Sequence, residues 1–443
     1  YPKGGWVLHM LRSQLGDDLY RRCITSYLEK HAYTSVVSDD LRQVIEEHSG
    51  RPFDRFFDQW VYSPGAPELK IDYAWQAKTG LAKVSIAQTH KTDNGARVFE
   101  FPAELRFVVG DEVIDHTITV SEQSEDFYVA LPAEPDVVRF DPDYTLLAKV
   151  AFQKSDAMLK AQLARSDDMI GRLLAAKALA DRKTEASAEL LHAALTSDTF
   201  FGVRLAAAES LAANGSDESF ELLASAWRGQ TDARVRKAVV EQVAKRYHPT
   251  ARRVVDEVLA EEHNPEIVAV ATRALARFGD DAAEQALREQ LRANSFRDEL
   301  LIAAIAAIES RQDPALVPAL VDLLNDRGGA LATRGLAQGL RSVGALASEA
   351  DDQTAVQELL MRWLHDPRSG VQAAALQGLG ALGNRRALAA IEGLQTAPHP
   401  GVAAAAKAAV NALNEKQALD APAEVIALRK ELGELKDNNK KLS

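Results

Sequence analysis

The sequence predicts a multidomain α+β protein: a small helical subdomain, then an antiparallel β-sandwich, then an α-solenoid of paired-helix repeats. Three observations carry this. Over positions 1–65 apolar residues recur at three- and four-residue spacing. Over 66–150 they alternate with polar ones. From 155 to 415 Ala- and Leu-rich segments return at a regular interval. At 443 residues the chain also exceeds one ordinary hydrophobic core.

The helical part begins with Trp6, Val7, Met10, Leu11 and Leu15, which mark one buried helix face, and Gly16 stops that helix. Leu19, Cys23, Ile24, Tyr27 and Leu28 form the stripe of a second. In "SDDLRQVIEEHSG" Ser38 or Asp39 can cap a third, with Leu41, Val44, Ile45 and His48 facing inward and Gly50 ending it. Pro52 suits the first turn of a fourth, whose Phe53, Phe56, Phe57 and Trp60 point to the core. "SPGAP" at 63–67 reads as a turn and a boundary.

The period then changes. Leu69, Ile71, Tyr73 and Trp75 alternate with polar residues, as do Val84 and Ile86. Leu105, Phe107 and Val109, then Ile118 and Val120, then Phe127, Val129 and Leu131 repeat the pattern. "KTDNGAR" at 91–97 contains Asn-Gly and predicts a hairpin turn. Six or seven short strands in so short a stretch suit a small antiparallel sandwich.

The repeats start at "RLLAAKALA" (172–180), "RLAAAESLA" (204–212), "RKAVVEQVA" (236–244) and "VAVATRALA" (268–276). They continue through "LIAAIAAIE" (301–309), "TRGLAQGLR" (333–341), "QAAALQGLG" (372–380) and "AAAAKAAVN" (403–411). Most starting points lie about 32 residues apart, with one longer step before 372, a period typical of two-helix units. Each unit holds a second helix, such as "ASAELLHAAL" or "ALVPALVDLL". A lone pair cannot bury its apolar face, so the units must stack. They resemble HEAT-type repeats, including the short kind opening with Val-Arg (Val203-Arg204, Val235-Arg236). In the tail, 422–443, Val425, Leu428, Leu432, Leu435 and Leu442 fall at heptad spacing, with Asn439 on an a position. Either a short coiled coil or a final amphipathic helix docking on the last repeat fits, and the internal Gly433 weighs against the coil.

The bulk numbers exclude several classes. A net charge of −12 does not suit a general nucleic-acid binder, which must neutralise many phosphates. The single cysteine, Cys23, allows no intrachain disulfide and sits on a helical apolar face. No apolar run is long enough for a membrane span. Composition is that of a soluble globular protein, with a cytoplasmic location slightly favoured. The chain opens on Tyr1 rather than Met, which points to a processed or truncated N-terminus. No H-E-x-x-H, C-x-x-C, G-x-S-x-G or phosphate-binding glycine loop occurs. His9, His31 and His48 are not at metal-ligand spacing and read as structural. "SDD" at 38–40 and "EEH" at 261–263 read as solvated cap and turn residues. By motif alone the chain holds no complete active site and no metal site.

The order of several short elements carries more. Tyr1-Pro2-Lys3-Gly4 is followed by a helix with "LHMLR", by Leu15-Gly16, "YLEKHAY" (27–33), Asp40-Leu41 and Ser49-Gly50. Trp60, Gly65 and Pro67 close the series. This order resembles the back half of the catalytic domain of the zinc aminopeptidases that include aminopeptidase N and leukotriene hydrolase. The resemblance implies that a β-sandwich and a HEAT-like helical domain follow. "QTHKTDNGARVFEFPAELRF" and "VVRFDPDYTLLAKV" look like that family's sandwich strands. It further implies that Tyr1 is the catalytic tyrosine, donating its hydroxyl to the oxyanion of the tetrahedral intermediate. Lys3 and Gly4 then position the turn and helix. In that family the zinc ligands, the general base and the free-amine site lie upstream of the Tyr-x-Lys-Gly element.

Two readings follow. In the first, the chain is the C-terminal fragment of a zinc-dependent aminopeptidase acting on peptides. Zinc belongs to the full-length parent, this chain binds none, and the chain alone is inactive. In the second, it is a non-catalytic HEAT-repeat scaffold whose concave surface binds a protein partner.

Overall fold

The computed structural model describes residues 1–92 and 97–419, and its contacts form two compact units, Tyr1–Ser219 and Phe220–Ser443. The first unit opens with helices α1 (Pro2–Leu15), α2 (Asp17–Lys30), α3 (Ser38–Ser49) and the short α4 (Asp54–Phe57). A π-helical turn over Asp58–Tyr62 continues α4. Gly16 (φ 76°) ends α1 and Gly50 (φ 67°) ends α3, positions where a left-handed backbone favours glycine.

Several details differ from the sequence expectation. Helix α1 already starts at Pro2, so the glycine pair lies inside it. Helix α3 is held at its start by Asp40, whose carboxylate accepts the Val37 backbone N–H at 2.8 Å, rather than by Ser38 or Asp39. His48 and Leu28 face solvent, because α3 and α2 each bury a narrower stripe, centred on Val44–Ile45 and on Cys23. Pro52 precedes the short fourth helix rather than opening it, with Phe53 at the N-cap. Phe53, Phe56, Phe57 and Trp60 are buried as expected, and the Trp60 ring lies 4.9 Å from that of Phe99. Burying each such side chain contributes roughly 2–3 kcal/mol of transfer free energy.

Seven strands follow: β1 (Glu68–Gln76), β2 (Leu81–Gln88), β3 (Phe101–Val109), β4 (Glu112–Val120), β5 (Ser124–Ala130), β6 (Val137–Phe140) and β7 (Lys149–Phe152). They form two sheets, ordered β5-β2-β1-β7 and β4-β3-β6. Inward residues of both sheets, including Ile71, Val84 and Ile86 from one and Phe101, Leu105 and Phe107 from the other, share one core. Val7, Leu11, Phe57 and Trp60 of the helices belong to it too. Two points depart from a plain antiparallel sandwich. Strand β7 pairs with β1 in parallel. Strands β2 and β3, on either side of the predicted turn, lie in different sheets, and the turn's residues 93–96 lie outside the described residues.

The repeats read from the sequence are helices of the structure. In the first unit these are α5 (Asp156–Leu163), α6 (Met169–Leu179), α7 (Glu185–Ser197) and α8 (Phe201–Asn214), and α9 (Asp217–Ser225) runs across the unit boundary. In the second come α10 (Ala233–Ala244), α11 (Pro249–Glu261), α12 (Pro265–Ala274), α13 (Asp281–Arg292), α14 (Glu299–Arg311) and α15 (Val317–Arg327). Then follow α16 (Thr333–Leu346), α17 (Thr354–Trp363), α18 (Ser369–Leu382), α19 (Leu388–Glu392) and α20 (Pro400–Leu419). Within the second unit, the even-numbered helices from α10 to α20 stack in sequence, each carrying one of the Ala- and Leu-rich segments. The heptad tail at 422–443 lies outside the described residues.

Polar clasps recur along both units. Arg172 on α6 donates to the Arg165 and Ser166 carbonyls at 2.9 and 2.7 Å and pairs with Asp198 at 2.7 Å. Arg236 on α10 does the same, to Gln230 and Thr231 at 2.9 and 3.1 Å and to Glu262 at 2.8 Å. Glu262 is therefore a largely buried ion-pair partner, not the solvated turn residue that "EEH" suggested. A second clasp joins consecutive repeats. Arg277 donates to the Ala244 carbonyl at 2.5 Å, and Arg311 to that of Phe278 at 3.0 Å.

Candidate functional site

Tyr1 is the residue just before α1. Its carbonyl accepts the Gly5 N–H at 3.0 Å, which starts the helix, while its side chain makes no capping bond and is fully exposed. Lys3 reaches across to the far end of the helical subdomain, where its ammonium donates to the Ser63 carbonyl at 2.9 Å. That bond ties the first turn of α1 to the exit of the π-helical turn. Trp60 of that turn is buried, and Val61 partly buried, in the same core as Val7 and Leu11 of α1.

Two grooves flank that first turn. One, of about 520 Å³, is lined by Lys3, Gly4, Val7, Leu41, Trp60 and other apolar residues of α1, α2 and α3. The other, of about 580 Å³, is lined by Pro2, Gly5, Trp6, His9, Asp143 and Tyr144. A side chain at Gly4 or Gly5 would meet no atom of this chain within 4 Å, so the glycine pair opens the α1 backbone to both grooves. Trp6 packs edge-on against His9 at 5.5 Å and against Tyr144 at 5.4 Å, which fixes the wall of the second groove.

A zinc ion does not fit the residues of this surface. Among the described residues no three His, Cys, Asp or Glu side chains converge on one point. His9 packs edge-on against Trp6, His31 ends α2 with its ring 5.3 Å from Tyr27, and His48 lies on the exposed side of α3. Cys23 is buried and free. What the surface presents is the exposed phenol of Tyr1, a hydrogen-bond donor, at the head of a helix flanked by two open grooves.

One cluster escaped the sequence reading. Arg139 near the end of β6, Lys154 after β7 and Gln162 on α5 line a separate cavity, and Asp168 before α6 pairs with Arg139. No motif links these positions. The only trace in the sequence is a charged residue within an otherwise apolar strand, "VVRF".

The fold is a small helical segment followed by a two-sheet β region and HEAT-like helical repeats. Residues 1–60 match the peptidase family M1 domain, and residues 157–244 match HEAT repeats. The chain is thus related to the M1 aminopeptidases with HEAT-like repeats. Aminopeptidase N of Lactococcus lactis subsp. lactis is 38% identical over 72 residues, 16% of this chain and 8% of that protein. Tricorn protease-interacting factor F2 of Thermoplasma volcanium is 36% identical over 72 residues, 16% of this chain and 9% of that protein. The matched stretch therefore spans less than a tenth of either relative. In fold, the chain is similar to a crystal structure of Legionella pneumophila aminopeptidase A in complex with aspartic acid. The TM-score is 0.52 at 13% identity, over 93% of this chain and 56% of that one. No helix among the described residues is long and apolar enough to cross a membrane.

Proposed function

We propose that this chain is the C-terminal portion of a zinc-dependent aminopeptidase that removes N-terminal residues from peptides. On this reading residues 1–65 are the back half of the catalytic domain, 66–150 the β-sandwich and 155–415 the repeat domain. The observation that carries it is the M1 match over residues 1–60, and the reading of Tyr1-Pro2-Lys3-Gly4 as the Tyr-x-Lys-Gly element agrees with it. The zinc ligands and the general base belong to residues outside this chain, so the chain alone is inactive.

Tyr1 then acts as a hydrogen-bond donor to the oxyanion of the tetrahedral intermediate. Its geometry supports that role: the phenol is free of any internal partner, and the helix that follows is fixed by Lys3 and by the buried Trp60. A donor held in place gains most when charge develops on the substrate oxygen, and losing one typically lowers turnover by about 10²–10³.

The test is hydrolysis of aminoacyl-nitroanilides by the full-length parent, with and without a zinc chelator, beside Tyr1→Phe. Chelator-sensitive turnover, with kcat falling about 10²–10³ in Tyr1→Phe and KM nearly constant, is the expected result. Absence of chelator-sensitive turnover in a folded parent overturns the enzyme reading and leaves the HEAT-repeat scaffold, whose ligand would be a protein partner.

A further inference from the structure

The cavity around Lys154 is walled by the end of β6, the loop to β7, α5 and α6, and has a volume of about 380 Å³. That is within the range of small-molecule sites. Its lining is mainly apolar, with Leu146, Phe152, Leu159 and Leu174 among the walls. The polar groups in it are unevenly matched. Each carboxylate oxygen already accepts a bond. Asp141 takes the Thr145 N–H and hydroxyl and the Leu146 N–H, all at 2.9 Å. Asp168 takes Arg139 and the Gly171 N–H. Arg139, 1% exposed, spends its other terminal nitrogen on the Pro142 carbonyl at 3.1 Å. Gln162, also 1% exposed, donates to the Gly171 carbonyl at 2.7 Å and accepts from Lys154 at 2.6 Å.

The unspent capacity is therefore donor capacity. The Lys154 ammonium carries three N–H groups. One goes to Gln162, and the nitrogen lies 4.7 Å from the centre of the Phe152 ring. Lys177 adds a second ammonium on the exposed side of α6. In the lining Arg139, Lys154 and Lys177 stand against Asp141; Asp168, which pairs with Arg139 from outside the lining, still leaves an excess of one positive charge beside apolar walls.

We propose that this cavity binds a small organic carboxylate with an aromatic or branched hydrocarbon stem, the carboxylate on Lys154 and the stem against Phe152, Leu159 and Leu174. A charged donor in an apolar pocket favours an anion, because an incoming carboxylate both accepts the free N–H groups and cancels the excess charge. The apolar walls select against small inorganic anions, which leave them unfilled. The site is distinct from the grooves at α1, and it stands whether or not the peptidase reading does.

Binding is linked to protons. Burial and the neighbouring Arg139 push the Lys154 ammonium down to about 7, with Asp168 pulling it back up. The other polar groups around it are Asp141 and Tyr144 on the β6–β7 loop, Lys177 on α6, and Arg182, which donates to the Lys154 carbonyl and pairs with Asp156 at 2.9 Å. A bound carboxylate favours the protonated amine, so affinity falls as pH rises above 7, by about tenfold per unit.

Calorimetric titration of the 443-residue chain with 3-phenylpropionate, and with its neutral amide, tests this. The expected result is saturable one-to-one binding of the carboxylate, at least about tenfold weaker binding of the amide, and roughly 25-fold weaker carboxylate binding at pH 8.5 than at pH 6.5. Runs in two buffers of different ionisation heat should show proton uptake at pH 8.5. Lys154→Met, close in volume, should still melt cooperatively and lose the carboxylate. No saturable binding at millimolar ligand, equal binding of acid and amide, absence of proton uptake, or undiminished binding by Lys154→Met would each overturn the proposal. The wild-type pH series and the amide comparison decide it without any variant.

Discussion

The side-chain amide of Gln88 grips the backbone of Phe99 at both ends. Its Nε2 donates to the Phe99 carbonyl at 2.7 Å, and its Oε1 accepts the Phe99 N–H at 2.9 Å, all in a buried setting. Strands β2 and β3 belong to different sheets, so no ladder could satisfy Phe99; the glutamine at the end of β2 does it instead. This holds Phe99 against Trp60 and so joins the sheet region to the helices that position Tyr1. Gln59 repeats the device one residue on, pairing with the Glu100 N–H at 2.6 Å and carbonyl at 3.1 Å.

Replacing Gln88 with Met keeps the volume and removes both bonds, leaving a buried N–H and C=O unpaired. The expected loss is about 2–4 kcal/mol of stability in the first unit. Urea unfolding followed by tryptophan fluorescence, with Trp227 and Trp363 replaced by Phe so that only the first unit reports, measures it, and a change under about 0.5 kcal/mol would show that Phe99 finds other partners.

Gly344 on α16 and Gly378 on α18 let two helix backbones touch. A Cβ at Gly344 would sit 2.2 Å from the Gly378 carbonyl oxygen, and one at Gly378 2.4 Å from that of Leu340. Gly344→Ala should push α16 and α18 apart and cost about 1–3 kcal/mol, despite alanine's better helix propensity. Gly5→Ala, also helical but with open space around it, should be neutral or slightly stabilising. Thermal melting of the two variants side by side gives the comparison.

The Arg236–Glu262 clasp makes the second unit acid-sensitive. Burial alone would raise the Glu262 pKa, but the Arg236 bond and the backbone N–H groups of Asn264 and His263 outweigh it. The carboxyl therefore stays below its usual range. Since the folded carboxyl releases its proton more readily than the unfolded one, its contribution is full above about pH 4.5 and is lost as pH falls through the folded value. Glu262→Gln should lower the melting temperature at pH 7 and narrow the gap to wild type below pH 4. A gap that is constant with pH would mean the charge contributes nothing.

Lys154 gives a pH dependence of the same sign in a higher window. Its folded pKa, about 7, lies below the ordinary lysine value of 10.5, so between those limits the unfolded chain binds the extra proton. Stability of the first unit should therefore rise from pH 7 towards pH 10 in wild type relative to Lys154→Met. Parallel melting curves for the two proteins would expose an error in placing this amine.

The local parts of the fold were legible in the sequence because they rest on spacing. Helix faces such as Val7–Leu11 and Phe53–Trp60, strand alternation at Leu69–Ile71, and the roughly 32-residue return of the Ala- and Leu-rich segments each follow from one element's own periodicity. Exposed His48 and Leu28 show the limit of that method, since apolar spacing gives a face but not its width. The Tyr-x-Lys-Gly series was legible for a different reason: order and spacing of several weak signals, later matched over residues 1–60.

The sequence by itself thus determined the kinds of element, their order, the repeat period and the kinship of the first 60 residues. Tertiary structure alone decided who pairs with whom. It set β7 parallel to β1, sent β2 and β3 to separate sheets, gave Glu262 to Arg236 and Asp168 to Arg139, and gathered Arg139, Lys154 and Gln162 around one cavity. The physical reason is that hydrophobic periodicity acts within a segment. A buried polar group must instead find its partner wherever the packed chain brings one within about 3 Å, at a sequence separation that no local pattern encodes.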